Sequence, residues 1–201
     1  VVPTRAGALL TEAHRLAQAK ISAEVVADLL KVWPLLDPRN LDATVDRWLT
    51  ASQAIVLKKH GDSAALAREY LRRFRAVELG TPITAWTPPP APPAPIEAIR
   101  TSLVVQGPVR IKAATAIQTA IDVAAVTASG TAAAAGSRHA LNGGRDTIVE
   151  AAKADERAQG MRRVTSGTAC KFCSMLATRT DFSYAFKAHD GCHCQTHPVY
   201  R

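Results

Sequence analysis

Apolar residues recur at helical spacing through most of the first 80 residues. Leu9, Leu10, Ala13, Leu16 and Ala17 are followed by Val25, Val26, Leu29 and Leu30. That is the i, i+3, i+4 recurrence of one helix face, and it predicts helix over residues 8–30. Ser22, with Glu24 two residues on, is a candidate start for a second helix after Ile21. Trp33-Pro34 ends the run, because proline has no N–H to continue the ladder. Asp37-Pro38-Arg39-Asn40 reads as a turn. From Asp42 to residue 79 one long helix or two shorter ones are expected. Val45, Trp48, Leu49, Ser52, Ile55 and Val56 line one face, and Ala64, Ala67, Tyr70, Leu71, Phe74 and Val77 continue it after His60-Gly61-Asp62. Gly80 is the expected C-cap. Residues 1–80 therefore predict a small helical bundle.

The pattern changes at residues 81–95, TPITAWTPPPAPPAP, which hold seven of the 12 prolines. Such a segment favours extended polyproline II at about 3 Å per residue. It predicts a semi-rigid spacer between two modules, tens of ångströms apart. A ligand for an aromatic-lined groove is the other reading. Beyond it, residues 101–106 suit a short strand or a helix end. Residues 109–128 read as an alanine-rich helix, GSRHALNGG (136–144) as a flexible loop, and residues 145–159 as a helix. Residues 161–166 (MRRVTS) resemble a short strand. The fold class expected is α+β, mostly α. It has a helical docking module (1–80), a Pro-rich linker (81–95) and an α+β module (96–201).

Composition changes the picture little. Hydrophobic residues make up 47% and aromatics only 5%, so the core is aliphatic. Lys and Arg outnumber Asp and Glu by 25 to 17, a net charge of +8 spread along the chain. A diffuse positive field suits nucleic acid or an acidic partner, and equally an ordinary solvated surface. The densest spots are Lys58-Lys59 and Arg72-Arg73 with Arg75, weak candidates for nucleic-acid contact. No run of apolar residues is long enough to predict a membrane span. The N-terminus lacks a signal-peptide pattern. It also lacks an initiator Met, which suggests a processed or trimmed chain.

The chemistry gathers at the end of the chain. All four cysteines lie in the last 32 residues, as Cys170-x-x-Cys173 and Cys192-x-Cys194, with His189, His193 and His197 close by. A CxxC at a helix start can aim two thiolates at one ion. On an extended segment Cys192 and Cys194 share a face, because side chains alternate. His189 can reach the same point through the Asp190-Gly191 turn. Five candidate ligands thus converge on a site that needs four, and soft sulfur donors point to tetrahedral zinc. Residues 164–201 offer only a thin core of Phe172, Met175, Leu176, Phe182, Tyr184, Phe186, Val199 and Tyr200. Metal ligation can supply on the order of 10 kcal/mol of folding free energy to such a segment. The rival readings are two disulfides, a redox CxxC, and a catalytic Cys–His pair oriented by Asp190.

The stretches RRVTSGTACKFCSMLA (162–177) and FKAHDGCHCQTHPV (186–199) resemble the C-terminal motif of MuF-like phage minor head proteins, in the form found in phages of actinobacteria. Residues 4–80, with Trp48, Leu49, Ala67, Tyr70 and Leu71, resemble the helical region upstream in those proteins. Arg179-Thr180 departs from the Arg-Gly usual there. The resemblance implies a non-enzymatic virion component inside the head. It would associate with the portal or the major capsid protein, with packaged DNA or itself as further partners, and aid assembly or genome ejection. Fusion to a maturation protease in some members suggests an origin for the missing Met. Two other classes stand beside it: a zinc-organised HNH-type nuclease and a toxin-like effector. The nuclease needs a further His or Asn on a helix after the second Cys pair, and only seven residues follow Cys194.

Overall fold

The computed structural model describes residues 3–165, 169–178, 180, 186 and 188–200. Ser166, Arg179, Phe182 and Tyr184, which figure in the expectations above, lie outside the described residues.

Helix α1 (Arg5–Val32) is continuous, without a break at Ser22. Its N-cap Thr4 accepts a hydrogen bond from the Gly7 amide at 3.0 Å, and the Glu78 carboxylate accepts from the Thr4 amide at 2.9 Å. The face it buries keeps the expected Val25 and Leu29 but not Leu9 and Leu16 nearer the start. Thr11, His14, Gln18 and Ser22 point inward, while Leu9 and Leu16 are 66% and 55% exposed. Partners on the next helix make this possible. Thr11 Oγ1 lies 2.9 Å from the Tyr70 hydroxyl, His14 stacks on the Tyr70 ring, and Ser63 Oγ donates to Gln18 Oε1 at 2.7 Å. A buried polar group with a partner costs little, and of these four residues only His14 leaves a buried atom, Nε2, without one.

Trp33–Leu35 forms a single 3-10 turn at Pro34, as the proline requires. Helix α2 (Leu41–Leu79) is one 39-residue helix, and His60-Gly61-Asp62 does not interrupt it. Gly80 ends it at φ 62°, a left-handed conformation that costs glycine little. Helix α3 (Ile96–Val104) replaces the strand considered for residues 101–106. A wide turn of π type (Val105–Val109) and helix α4 (Arg110–Ala116) follow.

Helix α5 (Ile121–Ala154) corrects the sequence reading most. It absorbs the residues expected to form a loop at 136–144. The glycines there are buried because neighbours come too close for a side chain. A Cβ on Gly143 would collide with the backbone oxygen of His60, and one on Gly136 with Leu29. At Gly144 it would stand 2.7 Å from Gln18 Nε2 and 2.8 Å from Ser63 Oγ. Helices α1, α2 and α5 consequently pack on one another around a single core, in which Val25, Leu29, Trp48 and Val56 meet Ile99, Ile111, Ala132 and Leu141. The Pro-rich segment does not hold two modules apart. It lies against α2, with Pro88 buried and its carbonyl accepting from Arg68 at 3.2 Å.

Strands β1 (Ala158–Val164) and β2 (Gln195–Tyr200) form an antiparallel pair, with Met161 opposite Pro198 and Val164 opposite Gln195. Every residue of β2 is buried. Tyr200 joins Tyr70, Leu71, Phe74 and Ile148 in a second apolar cluster, and His197 packs edge-on against Phe74. Asp155, at the end of α5, accepts from Arg75 at 2.7 Å and from the Tyr200 hydroxyl at 3.1 Å. The tail therefore shares the core of the helices rather than relying on a thin one of its own. Pro3, Phe74, Glu78 and Tyr200 line one small cleft, where the two ends of the described chain meet.

Two outcomes follow from this packing. Gly143→Ala must displace the His60 backbone and should cost about 3 kcal/mol, the upper range for overpacking. Gly130→Ala, on the open side of the same helix, should gain about 0.5–1 kcal/mol. Urea unfolding midpoints read both. Burial also pushes the His14 pKa down from 6.5 to about 4. Protonation then favours the unfolded chain, so stability falls as pH drops through 6.5 and levels off near 4. The loss amounts to about 3 kcal/mol at most. His14→Leu should flatten that pH slope relative to wild type.

Candidate metal centre

Helix α6 (Lys171–Leu176) carries the first cysteine pair, and its N-cap is Cys170. The Cys170 sulfur accepts from the Cys173 amide at 3.4 Å, the capping role usually played by an oxygen. This turn aims both sulfurs to one side. The second pair enters through a turn at residues 189–192, closed by the Cys192 amide donating to the His189 carbonyl at 3.0 Å. Gly191 sits at its third position with φ 75°, which only glycine adopts freely. Cys192 and Cys194 both point inward, and His193 between them is exposed.

The five expected ligands fall into two adjoining groups of three. Cys170, Cys173 and His189 form one triangle of donor atoms and Cys173, Cys192 and Cys194 another, each within 4.8 Å. Cys173 belongs to both. Cys170 Sγ lies 3.3 Å from His189 Nε2, Cys173 Sγ lies 3.9 Å from the same nitrogen, and Cys173 and Cys192 sulfurs are 3.8 Å apart. A tetrahedral ion with bonds of about 2.0–2.3 Å keeps its donors about 3.3–3.8 Å apart. The observed edges match that figure. All four cysteines are free thiols, so the disulfide reading does not describe this arrangement. Among the described residues the Cys/His group can hold a divalent metal.

The imidazole is prepared for such a role. His189 Nδ1 lies 2.9 Å from the Asp190 carbonyl, which can only accept, so Nδ1 carries the proton and Nε2 presents its lone pair to the sulfurs. That carbonyl also raises the His189 pKa. The Asp190 carboxylate pairs with Arg138 at 2.6 Å rather than with a histidine, so a Cys–His–Asp relay through it does not form. The Cys173 amide and His189 pull the Cys170 pKa down to about 7. Cys192 is lower still, about 4, first through the hydrogen bond from the Cys194 thiol, which in turn is held protonated. Thiolate, the metal-binding form, is favoured at both.

Two arginines that the sequence did not single out complete the setting. Arg145 of α5 is fully buried. Its Nε donates to the Cys194 carbonyl at 3.0 Å and its Nη2 to the Cys192 carbonyl at 2.6 Å. Arg163 of β1 places Nη1 3.7 Å from the Cys173 sulfur. Both guanidinium groups lie over the Phe186 ring, at 5.3 and 3.9 Å. Phe172 and Met175, expected to be the buried side of α6, are half exposed instead. Helix α6 turns Cys173 inward, and the opposite side follows outward.

The five basic residues flagged for nucleic acid lie elsewhere and are engaged. Lys58 pairs with Asp62, Lys59 with Glu24, and Arg72 and Arg73 both with Glu69. Arg75 turns inward to Asp155 and lies over Trp86 at 5.1 Å. No helix among the described residues is long and apolar enough to cross a membrane.

The molecule is thus a mostly helical protein whose small antiparallel sheet frames a Cys/His cluster. The chain belongs to the VG15 protein family, which it matches over residues 8–201, and is phage-encoded. The match spans the long helices and the cysteine tail alike. No curated protein and no solved structure matches the chain.

The shared corner at Cys173 generates a test. Cobalt(II) added to reduced protein should give thiolate charge-transfer absorption. Cys173→Ser breaks both triangles and should abolish most of it. Cys194→Ser leaves the triangle of Cys170, Cys173 and His189 whole and should retain most of it.

Proposed function

We propose that this protein is a structural, non-catalytic minor capsid protein of a tailed phage, of the MuF-like kind. It resides inside the head at the portal, where it aids head assembly and genome ejection. Zinc, held by four of Cys170, Cys173, His189, Cys192 and Cys194, fastens its tail. The observation that carries the reading is the match to a phage family along almost the whole chain, joined to the motif residues of 162–177 and 186–199.

The outer face of α1 supports a docking role. An exposed helix face normally carries the polar residues, and the buried one the apolar. Here Leu9, Leu16 and Leu30 face outward while Thr11, His14 and Gln18 face inward. A face of this kind is suited to a partner, and the portal is the partner proposed. The positive net charge is compatible with neighbouring packaged DNA.

The test is the position of the chain in the particle. Averaged images of intact heads, with mass spectrometry of purified virions, should place copies around the twelve-fold vertex. Absence from virions, or nuclease activity lost in His189→Ala while the fold persists, overturns the proposal. Leu9→Glu with Leu16→Glu should leave helical content unchanged and reduce incorporation into particles at least about tenfold, as expected when charge enters an apolar interface.

A further inference from the structure

Arg145 is a buried charge without a carboxylate. Its three hydrogen bonds go to neutral oxygens: the carbonyls of Cys192 and Cys194, and Asn142 Oδ1 at 3.0 Å. Among the described residues no acidic side chain forms an ion pair with it. A guanidinium taken fully out of water needs opposite charge nearby, or the fold loses its solvation without return. A metal held by three thiolates and one imidazole supplies that charge, since two positive charges meet three negative ones. Four thiolates leave still more.

We propose that Arg145 is the positioning and counter-charge residue of the metal centre. Its planar fork holds the Cys192 and Cys194 peptide carbonyls, and its charge balances the anionic metal–thiolate unit. Arg163, beside the Cys173 sulfur, shares the task from β1. This rests on the metal reading above and adds the coupling between the ion and the helical core. Three features support it. The fork geometry fixes the backbone on which both sulfurs of the second pair stand. The Phe186 ring lies under both guanidinium groups and covers them on one side. Arg145 is fully buried, so water screens its charge little from the thiolates.

The full chain is titrated with zinc against a chromophoric chelator and with cobalt(II), with circular dichroism as the fold check. In wild type, zinc should bind, and the metal-loaded form should melt well above the metal-free form. Arg145→Met should weaken zinc about 10–100-fold, the usual loss for an outer partner of a metal ligand, and shrink the melting increment. Arg145→Lys, which keeps the charge and loses the fork, should fall between the two. Folded Arg145→Met with wild-type affinity and an unchanged cobalt spectrum overturns the inference while leaving the metal reading intact. Wild type that binds no metal overturns the metal reading itself. If Arg145→Met does not fold, Arg163→Gln decides. A several-fold loss of zinc affinity with native helical content supports the shared counter-charge, and unchanged affinity overturns it.

Discussion

The middle of α5 has almost no side chains on the sides where its neighbours come closest. Gly136, Gly143 and Gly144, with Ala128, Ala132 and Ala140 around them, let α1 and α2 approach until backbone and side-chain atoms touch the α5 backbone itself. Glycine inside a helix is ordinarily unfavourable by up to about 1 kcal/mol per residue. Here the close approach offsets it, because dispersion contacts and hydrogen bonds such as Gly144 amide to Ser63 Oγ at 2.9 Å form only at that distance. The rest of the architecture depends on this convergence. It decides which residues of α1 face inward. It also brings Arg145, one residue beyond the glycine pair, to the inside of the molecule.

From Arg145 the dependence runs on to the tail. Residues 189–194 are irregular backbone, and such backbone needs its polar groups satisfied when it is buried. The guanidinium satisfies two carbonyls at once, and strand β2 then continues into the cluster around Phe74 and Tyr70. At the far end of β2, Asp155 gathers Arg75 and the Tyr200 hydroxyl. The cysteine segment is thus held at one side by an arginine from α5 and at the other by a carboxylate that ends α5. These two attachments fix the path of the segment that carries Cys192 and Cys194.

Some of this was legible in the chain. Proline at 34, glycine at 80 and the long apolar periodicity set the helix ends of the first 80 residues. The CxxC and CxC spacing pointed to the Cys/His cluster, because those rules are local. What failed depends on partners distant in sequence. GSRHALNGG has the composition of a loop, and only the nearness of His60, Gln18 and Ser63 makes it a helix. The leucines of α1 look like its core face, and only Tyr70 and Ser63 explain why threonine, histidine and glutamine take their place. A proline-rich stretch predicts an extended path but not the surface along which the path lies. Nothing in the sequence marks Arg145, since its role exists only when the tail folds back over 47 residues to Cys192.

The cleft shared by Pro3 and Tyr200 closes the molecule's backbone almost into a ring. A connector of a few residues could join the ends without disturbing a helix, and new ends opened at an exposed turn would leave the topology intact. The start of α1 and the end of β2 therefore share one side of the molecule.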